Sequence, residues 1–152
     1  MLQFVSSVTL PCPATALRAY LGRPQNLPEI SDPEIELEIL SAPDEVAVGA
    51  KIVFRITAMG LRQRMTHEYK AVSDLEIQEV LVEGPLPAWQ HTQRIQSLGD
   101  AECELTDEVL FQLPGGMMKF LLTEERIRES LSTGMAHRYA TLQELIRSGA
   151  LT

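Results

Sequence analysis

The chain has 152 residues, 45% of them hydrophobic and 22% charged. This composition is typical of a globular protein rather than a disordered one, and the length predicts one domain over 1–152. The formal net charge of −8 argues against nucleic acid or an anionic membrane as the main partner, because both attract a positive protein surface. We find no secretory signal pattern and no run of roughly 18 apolar residues, so we expect a cytoplasmic protein without stable membrane insertion.

The cysteines and histidines do not form a recognisable metal or redox motif. Cys12 and Cys103 lie far apart and form no Cys-x-x-Cys pair, so we expect free thiols. His67, His91 and His137 are scattered, without the short spacings that are typical of metal ligands. The sequence also lacks a glycine-rich phosphate loop and a dinucleotide fingerprint. We therefore expect no metal and no cofactor.

The first thirty residues predict one strand and two short helices. Alternating apolar and polar residues predict a strand that ends at Pro11. A helix is expected over Ala14 to Leu21, because Pro13 is favourable near a helix start and Gly22 favours a helix end. Residues 24–30 predict one more short helical turn.

The middle of the chain predicts roughly six further strands. In residues 34–40 the apolar side chains of Ile35, Leu37 and Ile39 alternate with glutamates, which indicates a half-buried antiparallel strand. Period-two patterns recur in residues 51–59, 61–72 and 77–83, after Pro87, and from Cys103 to residue 113.

The last thirty residues change to a helical period. Apolar residues at spacings of three and four predict a long amphipathic helix from about Glu124 to Arg147. The element order predicts an α+β fold: a curved antiparallel sheet of about six to seven strands that wraps around this helix. The space between sheet and helix is a natural ligand cavity.

Two longer segments match a known pattern. The segment LPCPATALRAYLGRPQNLPEI combines a Pro-led first helix with a second helix of the form Asp-Pro-x-Asn-Leu-Pro, except that Arg23 stands at the acidic position. GPLPAWQHTQRI and ELTDEVLFQL are similar to a strand pair with the patterns Trp-x-His-x-His-x-Phe and Leu-x-Asp-x-Val-x-Tyr. Gln93, Ile95 and Phe111 replace the second His, the Phe and the Tyr of those patterns.

In this order the segments resemble the START/Bet v1-like (SRPBCC) superfamily, in its polyketide cyclase/dehydrase-like bacterial branch, over essentially the whole chain. The resemblance implies a helix-grip fold with one face of each strand turned toward a cavity. Members of this superfamily bind lipids, hormones and polyketides, and some catalyse cyclisation or dehydration, so the fold alone does not settle the function.

The strand after Pro87 supplies the first site candidates. Trp89, the sole tryptophan, shares a strand face with His91 and Gln93, and in a helix-grip fold we expect this face to line the cavity. A short turn near Gly99 would place Asp107 opposite His91 or one pair diagonal to it. A buried Asp needs a donor, which His91, Gln93 or the helix residue Arg138 could provide; the pair is then either structural, a ligand anchor or an acid/base pair.

Further side chains are expected to add contact area to the cavity. His67 and Tyr69 share one strand face, which could line the cavity or face outward. The remaining apolar candidates come from two strands and the long helix: Phe54, Val109, Phe111 and Tyr139.

Three functions from different classes follow. The first is a non-enzymatic or weakly enzymatic protein that binds, and by binding transports or sequesters, a small hydrophobic or aromatic ligand. The second is a cyclase or dehydratase that uses His91 and Asp107 as acid and base. The third is a protein-interaction module, such as a homodimer formed through a sheet edge or the glutamate-lined strand at residues 34–38.

Overall fold

A computed structural model describes residues 1–151. Seven strands form one antiparallel sheet in the spatial order β1-β7-β6-β5-β4-β3-β2. The strands are β1 (Leu2–Leu10), β2 (Glu38–Ser41), β3 (Lys51–Ala58), β4 (Leu61–Val72), β5 (Glu76–Glu83), β6 (Ala88–Ser97) and β7 (Cys103–Gln112). The curved sheet and the helix that it grips confirm the predicted fold class.

The helices also lie where the sequence predicts them. Two short helices follow the first strand, α1 (Ala14–Leu21) and α2 (Leu27–Ile30), and a long helix α3 (Glu124–Arg147) ends the described chain. Thr123 caps α3, because its side-chain oxygen accepts from the backbone N–H of Arg126 and satisfies a donor that the helix cannot. Three short 3-10 turns complete the architecture, at Pro24–Asn26, Pro33–Ile35 and Gly116–Phe120.

The prediction of a strand over residues 34–40 is wrong at its start. Pro33–Ile35 form a 3-10 turn, and β2 begins only at Glu38. The Asp32 side chain accepts from the backbone N–H of Glu34 and stabilises the turn. Glu36 then adopts a left-handed conformation with φ 48°, which breaks the extended chain before β2. The period-two pattern of side chains is therefore only partly a strand.

The space between α3 and the sheet is filled by side chains at one end and contains a cavity at the other. We call these the solid end and the open end. At the solid end α1 packs on β6, and Leu17, Leu105 and Leu142 are fully buried there. The other end lies between β3, β4 and the first half of α3, where the side chains leave a cavity. This division decides which inward-facing residues a ligand can reach.

The two cysteines meet at the solid end of the core. Cys12 and Cys103 are both buried free thiols, and their sulfur atoms are 3.9 Å apart. Burial raises the pKa of the Cys12 thiol, and burial beside Cys12 raises the pKa of Cys103 to about 12. The long separation in sequence concealed this contact, which forms because Cys103 pairs with Leu10, two residues before Cys12.

None of the helices within residues 1–151 combines the length and the hydropathy that crossing a membrane requires.

Candidate ligand-binding site

The cavity has a volume of about 250 Å³ and lies between the sheet and α3. This is slightly below the range of roughly 300–1,000 Å³ that is typical of small-molecule sites. Its wall is mainly apolar and comes from α2, β3, β4 and α3. The apolar lining includes Leu27, Ile30, Ile52, Phe54, Ile56, Met65, Ile127, Leu131 and Met135.

A row of ionisable side chains crosses four adjacent strands on the concave face of the sheet. The row consists of His67 on β4, Glu79 on β5, His91 on β6 and Asp107 on β7, and we call it the polar row. Glu79 stands directly opposite His91, and Asp107 stands opposite Gln93, one pair diagonal to His91. Three of the four, all except Asp107, line the cavity.

His91 lies between two carboxylates. Its Nε2 atom donates to Asp107 Oδ1 at 2.7 Å, and its Nδ1 atom is 3.4 Å from Glu79 Oε1. Burial lowers the pKa of His91, but the hydrogen bonds to Asp107 and Glu79 outweigh this effect and raise the pKa to about 9. His91 is therefore an imidazolium at neutral pH and donates from both ring nitrogens.

Asp107 is completely buried in the row of inward-facing residues on β7. Tyr139 on α3 donates its hydroxyl to Asp107 Oδ2 at 2.8 Å, and Arg138 Nη1 is 3.8 Å from Oδ1. Burial raises the pKa of Asp107, but His91, Arg138 and Tyr139 outweigh it, so the pKa lies below its usual range. Asp107 is thus an ionised carboxylate that ties α3 to the sheet.

Glu79 is shared by two imidazoles. Its Oε2 atom lies 3.4 Å from His67 Nδ1, and its Oε1 atom faces His91. Burial raises the pKa of Glu79, but the two histidines outweigh it and hold the pKa well below its usual range. A carboxylate therefore faces the cavity at neutral pH.

Two buried nitrogen atoms at this end of the cavity are not satisfied within the described chain. The Nε2 atom of His67 and the Nη1 atom of Arg138 find no hydrogen-bond partner among residues 1–151. A buried donor without a partner costs about 1–3 kcal/mol. Because both side chains line the cavity, a molecule inside it could accept from them.

The structure places four of the predicted ligand-binding residues on the cavity wall. These are Phe54, Trp89, His91 and Val109. Trp89 also packs against Phe111, with 6.1 Å between the ring centroids. The strand alternation that starts at Trp89 correctly places Trp89 and His91 on the inner face.

The other five predicted residues are buried and lie outside the lining of this cavity. They are Tyr69, Gln93, Asp107, Phe111 and Tyr139. Gln93 lies outside the lining because α1 packs on β6 and fills the concave face of the sheet beyond His91. Asp107 lies beneath Arg138 and Tyr139 of α3, so it acts on the cavity through His91 and Arg138.

Three further residues lie at the polar end of the cavity: Glu79, His67 and Arg138. The sequence patterns indicate little or no role for them. Glu79 was missed, although it stands between Ile77 and Leu81 on one strand face, and a charged residue inside an apolar alternation signals a functional or paired group. The sequence leaves open whether the strand face of His67 and Tyr69 lines the cavity or faces outward. His67 lines the cavity, whereas Tyr69 is buried outside the lining. Arg138 was considered only as a partner of Asp107.

Across residues 1–151, no group of three or more His, Cys, Asp or Glu side chains is arranged to hold a metal ion.

Comparisons with known proteins agree on the fold. A START superfamily protein from Mycobacterium smegmatis superposes with a TM-score of 0.71 at 13% identity, over 96% of this chain and 97% of that one. A protein from Thermus thermophilus gives 0.71 at 13% identity, over 97% and 99% of the two chains. This chain has the START/Bet v1-like helix-grip fold. A plant structure with the same fold is major latex-like protein 151 from Panax ginseng, with a TM-score of 0.65 at 12% identity over 91% of this chain and 95% of that one.

No family model and no curated protein matches the sequence of this chain. At identities this low, the structural likeness establishes architecture and leaves function to the site itself.

Proposed function

We propose that the protein binds a small hydrophobic ligand in the cavity between the sheet and α3. The observation that carries this proposal is the cavity of about 250 Å³, whose wall is mainly apolar and includes a cluster of ionisable groups at His67, Glu79, His91 and Arg138. Such a combination is the usual form of a small-molecule site. The helix-grip fold, which commonly binds hydrophobic ligands, supports the proposal.

Gly134 adds independent support. It lies inside α3 and lines the cavity, and an added Cβ atom would meet no atom of the described chain within 4 Å. Glycine within a helix costs about 1 kcal/mol relative to alanine. A larger residue would recover that free energy but would occupy the cavity, so the glycine keeps space that a ligand can fill.

A matched pair of variants at this position tests the proposal. Gly134→Leu projects a branched side chain into the cavity, whereas Gly134→Ala adds one methyl group to open space. Native mass spectrometry with organic extraction would be applied to each protein as purified and after incubation with 2-acetylnaphthalene. We expect a bound apolar molecule on the natural protein and on Gly134→Ala, and none on Gly134→Leu.

Two results would count against this function. One is equal occupancy of Gly134→Leu, which would place the ligand outside the cavity. The other is a ligand-free mass for the natural protein both as purified and after incubation. Thermal unfolding of both variants would show that each one is folded.

A second candidate is a cyclase or dehydratase, favoured by the 2.7 Å contact between His91 and Asp107 at the cavity wall. The raised pKa of His91 excludes it as a general base, because an imidazolium cannot accept a proton. To act as a general acid, His91 would have to turn its Nδ1–H from Glu79, the longer of its two contacts at 3.4 Å, to the substrate. Turnover of a poly-β-ketone substrate that persists in folded His91→Gln would remove this candidate.

The interaction-module alternative has less support from the structure. β1 and β2 are the two edge strands of the sheet, and β2 is only four residues long and carries Glu38. A short, charged edge such as β2 disfavours pairing with another strand, whereas β1 is nine residues long and carries no charged side chain. Sedimentation that shows a dimer, and loss of that dimer on substitution along β1, would revive a homodimer as the functional form.

A further inference from the structure

Charged groups of both signs surround the polar end of the cavity. Glu79 and Asp107 are ionised, because their pKa values lie below the usual range. His91 is protonated at neutral pH and Arg138 is always protonated. Two carboxylates therefore lie beside one imidazolium and one guanidinium at this end of the cavity.

Each sign of ligand charge would meet a like charge in the same cavity. An anionic head group would lie near the carboxylate of Glu79, and a cationic one near the guanidinium of Arg138, since both residues line the wall. Transfer of an ion from water into an apolar cavity is itself unfavourable unless the ion is paired. A neutral polar group avoids both costs.

The site nevertheless has hydrogen-bonding capacity to spare. Arg138 Nη1 is buried without a hydrogen bond from residues 1–151, and it is 3.8 Å from Asp107 Oδ1, beyond hydrogen-bond distance. His67 is 4% exposed, and its Nε2 atom likewise has no hydrogen-bond partner in the described part of the chain. An oxygen atom placed in the cavity can accept from Arg138, and His67 can donate to it or accept from it.

We infer that the ligand is an uncharged molecule with an apolar body and one carbonyl or hydroxyl oxygen, which accepts a hydrogen bond from Arg138. This inference rests on the proposed function and names the ligand class of that site. The apolar body packs on Ile52, Leu131 and Met135, which line the cavity. The volume of about 250 Å³ suits a body on the order of two fused aromatic rings.

Four compounds that share one ring system separate the possible head groups. They are 2-acetylnaphthalene (ketone), 2-ethylnaphthalene (hydrocarbon), 2-naphthoate (anion) and 2-(aminomethyl)naphthalene (cation at neutral pH). Dissociation constants would be measured by calorimetry at pH 7 and one salt concentration. We expect the ketone to bind about tenfold or more tightly than each of the other three, as one additional satisfied hydrogen bond predicts.

Arg138→Met tests the role of the guanidinium with a side chain of similar length. Asp107 keeps its bonds to His91 and Tyr139 in this variant, so the strand-to-helix tie survives. We expect the affinity for the ketone to fall about tenfold, to the level of the hydrocarbon, while the affinity for the hydrocarbon stays within about twofold. Arg94→Met, at a half-exposed arginine paired with Glu76 and Glu108, is the matched control and should change neither.

The outcomes distinguish this inference from the proposed function. Equal binding of ketone and hydrocarbon, or tightest binding of either ion, would overturn the inference and leave apolar binding in place. Failure of all four compounds to bind would overturn both. If Arg138→Met does not fold, the ranking of the four compounds on the natural protein decides alone.

Discussion

The Nε2 atom of His91 lies 2.7 Å from the Oδ1 atom of Asp107, and Tyr139 holds the other oxygen of the same carboxylate from α3. A single buried carboxylate thus joins the sheet to the helix just behind the cavity wall. Removing one partner from a buried ion pair is strongly destabilising, because the other charge remains in a poorly solvated place. The ligand site and the stability of the fold therefore depend on the same group.

Stability should fall as the pH rises above neutrality. The pKa of His91 is raised from its ordinary 6.5 to about 9 in the folded protein. A raised pKa contributes stability that is complete below about pH 6.5 and is lost as the pH rises through about 9. Urea unfolding at pH 6, 7.5 and 9.5 should show a decreasing free energy of unfolding, and the His91 ring resonances should titrate near pH 9. A His91 that titrates near pH 6.5 would contradict the arrangement.

Asp107→Asn should cost more stability than Tyr139→Phe. The first change leaves the His91 imidazolium without its strongest partner, at about 3–5 kcal/mol for a broken buried pair. The second removes one hydroxyl donor, at about 1–2 kcal/mol. Urea unfolding of both variants gives the comparison. Equal and small losses would mean that Asp107 is not ionised in the folded protein.

Gly134→Ala should stabilise the protein by about 0.5–1 kcal/mol. The position is helical, and a methyl group there would meet no atom of the described chain within 4 Å. Gly49→Ala is the opposite control, because φ at Gly49 is 85° and alanine is strained there, which should cost about 1 kcal/mol. Thermal unfolding measures both. A destabilised Gly134→Ala would show that the cavity beside α3 is already filled.

The two thiols should be unreactive until the protein opens. Cys12 and Cys103 are at most 2% exposed, and burial beside Cys12 raises the pKa of Cys103 to about 12, which suppresses the thiolate. Reaction with an aromatic disulfide reagent at pH 8 should be far slower for the native protein than in urea. Immediate reaction of either thiol under native conditions would contradict the packing around α1.

The sequence predicted the elements well where one physical signal acted alone. α1, β4 and α3 have the predicted bounds, because a helix cap, a turn glycine or an unbroken period marked their ends. The prediction failed at residues 34–37, where the alternation of side chains continues through a 3-10 turn that Asp32 stabilises. Side-chain periodicity indicates which face of a segment is buried, but it does not determine the conformation of the backbone.

The candidate site was predicted less completely, since it depends on relations between distant segments. Alternation along β6 was enough to place Trp89 and His91 on the inner face. It could not show that α1 covers Gln93, or that Glu79 stands opposite His91, because both facts require strand register and helix packing. The ionised state of His91 likewise follows from two carboxylates that lie 12 and 16 residues away in sequence.

The most direct test of the account is a methyl NMR titration of the natural protein with 2-acetylnaphthalene. We predict saturable shifts of Ile52, Leu131 and Met135, which line the cavity, while the exposed Val5 and Leu98 stay unchanged. Shifts that are spread over exposed methyl groups, or that grow linearly without saturation, would contradict a ligand site between the sheet and α3.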